Sequence, residues 1–459
     1  MINAKKVSLL LGDALLLYVS LWLTLILRHW SQYSPQIFQE HLAPFSIVFA
    51  IWLVVFFINN LYSVQLTRND FKFYGYLIQN QIINTIIALI FFYLVPDKFT
   101  PINPQTVLII LVLIYTLLFL LWRRFFYWLT SNSRLRANIL LIGLEKDAIN
   151  LIREIEKKPQ LGYQVKLIIN LDNLELPPDL NQIEQLKDLI NLGQQIQTHK
   201  INTVVTTTNP KYSAQISRYL FDTINLKLQY YNLPEFYEKI TGKVPVASLE
   251  KTWFLENLTE GRKKAYGAFK RLEDILVALL IGLLTLPLTI CLVLLIKLTS
   301  PGPVLYKQVR TGLGGRTFTA LKLRSMRQNA ETAGQAVWAQ KNDSRVTSLG
   351  RVMRKLRFDE LPQIFNILKG EMSFVGPRPE RPEFIKILAQ QIPFYNERLL
   401  VKPGLTGWAQ INYKYGDSIE DALEKLQYDL YYIKNRSFTL DVSIILKTVN
   451  AVLNRSLAH

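Results

Sequence analysis

The chain opens with four long apolar runs, at about Val7–Leu27, Ala43–Tyr62, Tyr74–Val95 and Thr106–Leu129. Each approaches or reaches the length of a helix that crosses a bilayer. The third run carries Gln79, Asn80, Gln81 and Asn84, so it is expected to pack against its neighbours rather than lipid. Asp13 lies near one end of the first run, where snorkelling or packing is the expected role. From Ala137 the period changes. "ANILLIG", "YQVKLIIN" and "INTVVTTT" read as buried strands and "EKDAINLIREIEKK" as a helix, which predicts a Rossmann-like parallel α/β domain over residues 137–261. A fifth apolar run, Asp274–Leu298, contains Pro287 just past its middle. Beyond it, "SPGPVLYKQVRTGLGGRTFTALKLRSM" predicts two strands joined by a turn at Gly312, Gly314 and Gly315. "RFDELPQIFNILKG" predicts a short helix that stops at Gly370. Three domains result: a bundle at 1–136, the α/β domain at 137–261, and a mixed α/β domain at 262–459.

Charge changes the picture. The chain has 459 residues, half of them apolar, yet a formal net charge of +18. That combination fits a membrane protein whose basic faces meet the cytoplasm and anionic lipid. Nucleic-acid binding is excluded on pattern, because the aromatics concentrate in apolar segments instead of alternating with the basic residues. The one cysteine, Cys291, rules out a disulfide framework or a Cys-based zinc site within one chain. The first apolar run is long and followed by others, so it is not read as a cleaved signal peptide. Lys5 and Lys6, Arg68 and Lys72, and Arg123, Arg124, Arg134 and Arg136 place both ends of the bundle in the cytoplasm. The fifth run is basic on both flanks, with Arg262, Lys263, Lys264, Lys270 and Arg271 before it and Lys297, Lys307, Arg310 and Arg316 after it. A helix that enters, bends at Leu286–Pro287 and returns keeps both flanks on one side. A kinked span is the alternative.

Candidate chemistry centres on Asp359 and Glu360. One reading makes Asp359 a helix cap, with Glu360 at the positive end of the dipole and Pro362 in the first turn. The other starts from the basic residues that bracket the pair in three segments. Lys322 and Arg324 are two apart and share a strand face. Arg351, Arg354, Lys355 and Arg357 lead into Asp359, and Arg378 and Arg381 lie in the Pro-stiffened "SFVGPRPERPEF". A carboxylate among cations is expected to stay ionised with a depressed pKa, and a carboxylate can attack phosphorus. Phosphoryl transfer also needs charge neutralisation, commonly by Mg²⁺ on a carboxylate with Arg or Lys clamps. In the α/β domain, Gly143 stands where a dinucleotide fingerprint begins. The following "LEKDA" lacks the glycines that let a backbone approach pyrophosphate, so no bound nucleotide is expected and a regulatory or dimerising role is the default.

"RSM", "DELPQ", "GEMSFVGPRP" and "VKPGLTGWAQ", in that order, with Pro287 upstream, resemble the bacterial sugar transferases, the monotopic polyprenol-phosphate phosphoglycosyl transferases. The resemblance covers about Lys270–Arg455. The four spans and the α/β insert resemble the large-form members that start exopolysaccharide or O-antigen synthesis. The resemblance implies transfer of a sugar 1-phosphate from a UDP-sugar to undecaprenyl phosphate, with release of UMP, at the cytoplasmic face of the bacterial inner membrane. It implies Asp359 as nucleophile, Glu360 as Mg²⁺ ligand, Pro287 as the break of a re-entrant hairpin, and Lys322, Arg354 and Arg378 near the phosphates. Arg310 and Arg324 join them from charge and spacing. Membrane lipids are expected neighbours, and a homodimer through insert and bundle is the expected assembly. Two departures stand out. Phe358 is bulky where many members have a small polar residue. The segment after "TGWAQ" is "INYKYGDSIEDALEKLQYDLYYIKN", which lacks an Asn-Gly-Arg turn and resembles an exopolysaccharide subgroup that often uses UDP-glucose. Tyr428, Asp429, Tyr431 and Tyr432 there are expected to pack the C-terminal helix. A membrane scaffold with an inactive transferase domain and a transporter are the rival classes. The intact dyad argues against the first, and four spans with few central charges argue against the second.

Overall fold

The computed structural model describes residues 2–63, 71–94, 104–132, 136–171, 174–208, 213–258, 264–327, 345–413, 416 and 418–453. Arg68, Arg134, Arg262 and Lys263, expected at the membrane face, lie outside them. The chain forms two compact units, Met1–Leu233 and Pro234–His459.

The first unit begins with α1 (Ile2–His29), α2 (Pro35–Ile58), α3 (Phe71–Leu94) and α4 (Pro104–Ser131). All four are long and apolar enough to cross a membrane. Their buried stripes repeat every fourth residue. Leu9, Leu17, Leu21 and Leu25 form one in α1, and Leu111, Tyr115 and Phe119 one in α4. Asp13 and Arg123 occupy positions on these same stripes, and both are buried. They pair at 2.5 Å, and Arg123 also donates to the Leu61 carbonyl at 2.8 Å. Arg123 is therefore not one of the headgroup-facing cations the charge pattern suggested. Its register turns it inward, where Asp13 compensates it. Asn80, Gln81 and Asn84 are likewise buried between helices, whereas Gln79 is exposed.

The unit continues with β1 (Ala137–Ile142), α5 (Lys146–Lys157), β2 (Tyr163–Ile169), β3 (Glu184–Leu186), α6 (Leu192–Thr198), β4 (Ile201–Thr206), α7 (Ala214–Asp222) and β5 (Gln229–Asn232). The strands form one parallel sheet in the order β3-β2-β1-β4-β5. Continuous apolar strands such as β1 are buried on both faces, as a helix-covered parallel sheet requires.

The second unit starts earlier than residue 262. α8 (Leu233–Thr241) and α9 (Lys251–Asn257) precede the long helix α10 (Lys264–Thr299). Val244, Val246, Leu249 and Trp253 pack into one core with Met372, Phe374, Leu426 and Leu430. Of the residues expected with the α/β domain, 234–258 thus belong to the core of the domain that follows, because that is where their apolar side chains are buried. β6 (Leu305–Thr311) and β7 (Thr317–Leu323) form an antiparallel hairpin, with Gly314 and Gly315 at positive φ in its turn. There follow α11 (Ser348–Lys355), α12 (Gln363–Lys369), β8 (Ser373–Val375), α13 (Pro382–Gln391), β9 (Gly404–Thr406), α14 (Trp408–Asn412), α15 (Ile419–Asn435) and α16 (Phe438–Leu453).

Pro287 lies inside α10, and the chain expected to turn there is helical on both sides of it. Thr285 and Thr289 each hydrogen-bond the carbonyl four residues earlier, a pattern that bends helices. Both halves of α10 touch the same domain. Ala278 joins the core that holds Ile364 and Ile367, and Leu292 and Ile296 pack with Leu323 and Met353. At the ends, Arg271 donates to the Ile367 and Leu368 carbonyls, and Arg324 donates to the Ser300 and Pro301 carbonyls.

Candidate active site

The dyad sits on a strained turn between two helices. α11 ends at Lys355, and Arg357 adopts a left-handed conformation, φ +56°. For a non-glycine residue that costs about 1 kcal/mol or more. Phe358–Glu360 then form one 3₁₀ turn, closed by Glu360 N–H donating to the Arg357 carbonyl at 3.1 Å. α12 begins only at Gln363, behind Pro362, and no side chain caps it. The cap reading of Asp359 therefore fails: the acid lies a turn too early. Phe358, the bulky departure, packs into the cluster of Leu292, Ile296, Leu323 and Met353 and so anchors the turn to α10.

The two carboxylates differ. Glu360 Oε1 lies 3.1 Å from Lys322 Nζ and 2.8 Å from Arg378 Nη2, and Oε2 lies 3.4 Å from Arg357 Nη1. Burial by itself would push this carboxyl up, but Arg378, Lys322 and Arg357 outweigh it and hold Glu360 well below the usual carboxylate range. Asp359 is as buried, at 7% exposure, but makes no ion pair within 4.0 Å among the described residues. Burial raises its pKa above the ordinary value, and Glu360 adds to the rise. Lys322, Arg354 and Arg378 oppose it without winning. The expected depressed pKa thus holds for Glu360 and is reversed for Asp359, because direct ion pairs reach only one of the two. Burial also lowers the Lys322 ammonium, with Glu360 opposing.

Three elements position these groups. β7 carries Lys322, and Asn366 of α12 fixes its register by accepting from Leu321 N–H at 3.1 Å and donating to the Thr319 carbonyl at 2.8 Å. α11 carries Arg354, half-buried, in its last turn. Arg378 comes from the proline loop after β8. There "GEMSFVGPRP" and "VKPGLTGWAQ" meet as the parallel pair β8–β9, with Ser373 opposite Gly404 and Val375 opposite Thr406. A Cβ on Gly404 would stand 2.1 Å from Gly376 N, so these strands need glycine to approach.

The loop is held from behind by Arg398, which sequence reasoning left out, and by Asp429, which it gave a packing role only. Arg398 donates to the Arg378 carbonyl at 3.1 Å, to Asp429 at 2.8 Å and to the Tyr395 hydroxyl at 2.7 Å, all in a buried setting. Burial pushes the Asp429 carboxyl up to about 6, against the pull of Arg398. Asp429 is more than a packing residue of the C-terminal helix: through Arg398 it fixes the backbone that presents Arg378. Nothing in the local sequence marks this pair, which is 31 residues apart.

Two expected phosphate ligands are placed otherwise. Arg310 bonds Gln308 Oε1 and the Pro379 carbonyl, so it braces the proline loop. Arg324 is buried with its guanidinium on Ser300 and Pro301, at the end of α10. It follows the last residue of β7, where the strand's alternation no longer aims it with Lys322. Among the described residues no three His, Cys, Asp or Glu side chains form a metal cluster. Two adjacent carboxylates remain, which suits a hard cation that takes its other ligands from phosphate and water.

Two stretches of the chain match family models. Residues 265–455 match the bacterial sugar transferase model, and residues 57–228 match a CoA-binding domain model. An N-acetylgalactosaminephosphotransferase acting from UDP-N-acetylgalactosamine to undecaprenyl phosphate, from Aeromonas hydrophila, is 45% identical over 223 residues, 49% of this chain and 52% of that relative. UDP-glucose:undecaprenyl-phosphate glucose-1-phosphate transferases of Xanthomonas campestris pv. campestris and Klebsiella pneumoniae are 33% and 34% identical. The first match covers 70% of this chain and 67% of the relative, the second 72% and 70%.

Proposed function

The chain belongs to the bacterial sugar transferase family, and from that premise we propose that it moves a sugar 1-phosphate from a UDP-sugar to undecaprenyl phosphate. The observation that carries the reading is the inequality of the dyad. Glu360 is held ionised by three cations, while Asp359 keeps its oxygens out of direct ion pairs. An ionised Asp359 oxygen attacks the phosphorus attached to the sugar, the P–O bond to UMP breaks, and UMP leaves with that electron pair. A phosphate oxygen of undecaprenyl phosphate then attacks the aspartyl phosphorus and frees the carboxylate. Lys322, Arg354 and Arg378 lie nearest to bind the donor's diphosphate, and Arg357 keeps Glu360 in place.

Mg²⁺ held by Glu360 together with the diphosphate would neutralise charge on the leaving UMP. Both Glu360 oxygens already face cations, so metal and diphosphate are expected to enter together. Glucose 1-phosphate is the first choice of cargo, on the longer matches. The 45% identity to an N-acetylgalactosamine enzyme favours that sugar as the second reading.

The catalytic domain is placed at the cytoplasmic face of the inner membrane, with α10 entering and returning. In support, Arg271 and Arg324 fasten both ends of α10 to one domain, and most of the leucines between, such as Leu279, Leu280, Leu283 and Leu284, are exposed. With Cys291 replaced, cysteines at Leu255 and Lys307 should label from the same side, and labelling from opposite sides would sink the hairpin. The reaction itself is tested by UMP release from a panel of UDP-sugars with undecaprenyl phosphate and Mg²⁺, beside Asp359→Asn. Lipid-dependent UMP that vanishes in the variant is the expected result. No UMP from any sugar by folded protein would favour the scaffold reading.

A further inference from the structure

The first turns of α10 carry two faces. Phe269, Leu272 and Leu276 are more than half exposed. On the other side Tyr266, Lys270, Arg271 and Asp274 line a cavity of about 280 Å³, closed by residues that include Lys402, Arg436 and the apolar Leu313, Leu400 and Val401. None of the dyad's ion-pair partners lines it.

The charge in this cavity is unevenly compensated. Lys270 is matched, with Nζ 3.2 Å from Asp274 and 3.1 Å from Asp441. Asp274 is turned inward, accepting from the Ser373 hydroxyl at 2.9 Å and the Phe374 N–H at 2.8 Å. Among the described residues Arg271 and Lys402 have no such acid. Arg271 spends its two terminal nitrogens on neutral carbonyls, and among the described residues Lys402 pairs with no carboxylate. The two cations converge on Gly370: a Cβ there would stand 3.6 Å from Lys402 Nζ and 3.7 Å from the Arg271 guanidinium carbon. The Arg436 guanidinium adds a third charge, over the Tyr266 ring at 5.8 Å. Cations gathered beside an apolar wall suit an anion that carries an apolar tail. The anions found where an apolar helix begins are lipid phosphates.

We propose that this cavity binds the phosphate group of a membrane lipid, at a site separate from the Asp359–Glu360 dyad. The inference does not depend on the dyad's chemistry, because it is read by binding without turnover. The full chain, stripped of lipid in detergent, is exposed in turn to phosphatidylglycerol, undecaprenyl phosphate and inorganic phosphate, and bound lipid is counted by native mass spectrometry. The wild type should retain lipid about tenfold more strongly than Lys402→Ala, with Lys402→Arg restoring most of it. Retention of both lipids identifies a general headgroup site, and retention of undecaprenyl phosphate alone identifies the acceptor; either supports the proposal. Equal retention by wild type and Lys402→Ala overturns it, as does binding of inorganic phosphate without either lipid. Hydrogen exchange on the wild type serves if the variants do not fold. Lipid should slow exchange across residues 266–274 and 400–403, and unchanged exchange there overturns the proposal.

Discussion

Two turns in this protein look alike in sequence and differ in what surrounds them. In the α/β domain, Gly143 at φ +90° leads into Glu145 and Asp147 at the start of α5. In the catalytic domain, Arg357 at φ +56° leads into Asp359 and Glu360 ahead of α12. Both place a left-handed residue and two acids at or just ahead of a helix start. At the first turn Thr207 closes over the glycine, so that a Cβ there would meet its Oγ1 at 1.9 Å, and the acids occupy the end where a phosphate would sit. At the second, β7, α11 and the proline loop deliver Lys322, Arg354 and Arg378. The proposed phosphate site lies at the acid pair to which other elements bring cations in excess.

The largest expected effect is that of Asp359→Asn on turnover. UMP release should fall at least about 10³-fold. Its stability should move the other way. A carboxyl whose folded pKa is raised contributes stability that is present below its unfolded pKa and lost as pH rises through the folded one. At neutral pH the ionised Asp359 therefore costs stability, and the neutral amide should raise the catalytic domain's melting temperature. A lower melting temperature would show that Asp359 is a structural ion-pair member after all.

Glu360→Gln should lose both activity and stability. Glu360 has a depressed pKa, so its contribution is present above the unfolded pKa and is lost as pH falls through the folded one. Removing its charge takes an ion-pair partner from Lys322, Arg357 and Arg378 at once, at a cost of about 3 kcal/mol in denaturant unfolding. Equal unfolding midpoints for the Asn and Gln variants would erase the contrast between the two carboxylates.

The acid limb of the kcat/KM profile should lie above the usual Asp range, since in the proposed mechanism Asp359 must ionise to attack. Lys322→Met removes the strongest cation opposing that rise, so the limb should move to higher pH. Arg354→Gln should move it less. A limb that stays in place in Lys322→Met would mean that another group governs it.

The smallest effect on turnover is expected at the other turn. Gly143→Ala forces a Cβ into Thr207 at a positive φ, so about 1–3 kcal/mol of stability should be lost. UMP release per folded molecule should stay within about twofold of wild type. A much larger drop in release would tie the α/β turn to catalysis and break the comparison.

Much of the architecture was legible because it depends on periodicity. Five apolar runs, a strand–helix alternation and an interrupted basic tail predict four spans, a fifth apolar segment bent at Pro287, a parallel sheet and a cationic domain, and a pattern of period two or 3.6 needs only neighbours in sequence to be read. Composition and motif order also narrowed the chemistry to Asp359 and Glu360 among cations. Tertiary structure decided which charges face which. Arg123 has the composition of a headgroup contact, but its stripe turns it toward Asp13. Arg324 and Lys322 share a strand pattern, but the strand ends between them and only Lys322 reaches Glu360. Residues 234–258 follow the α/β domain in sequence, but bury their apolar side chains with Phe374 and Leu430. The opposite pKa directions of two adjacent acids, and the brace that Arg398 and Asp429 give to Arg378, come from contacts between distant segments. Coulomb and hydrogen-bond energies act over a few ångströms in space, whatever the separation along the chain.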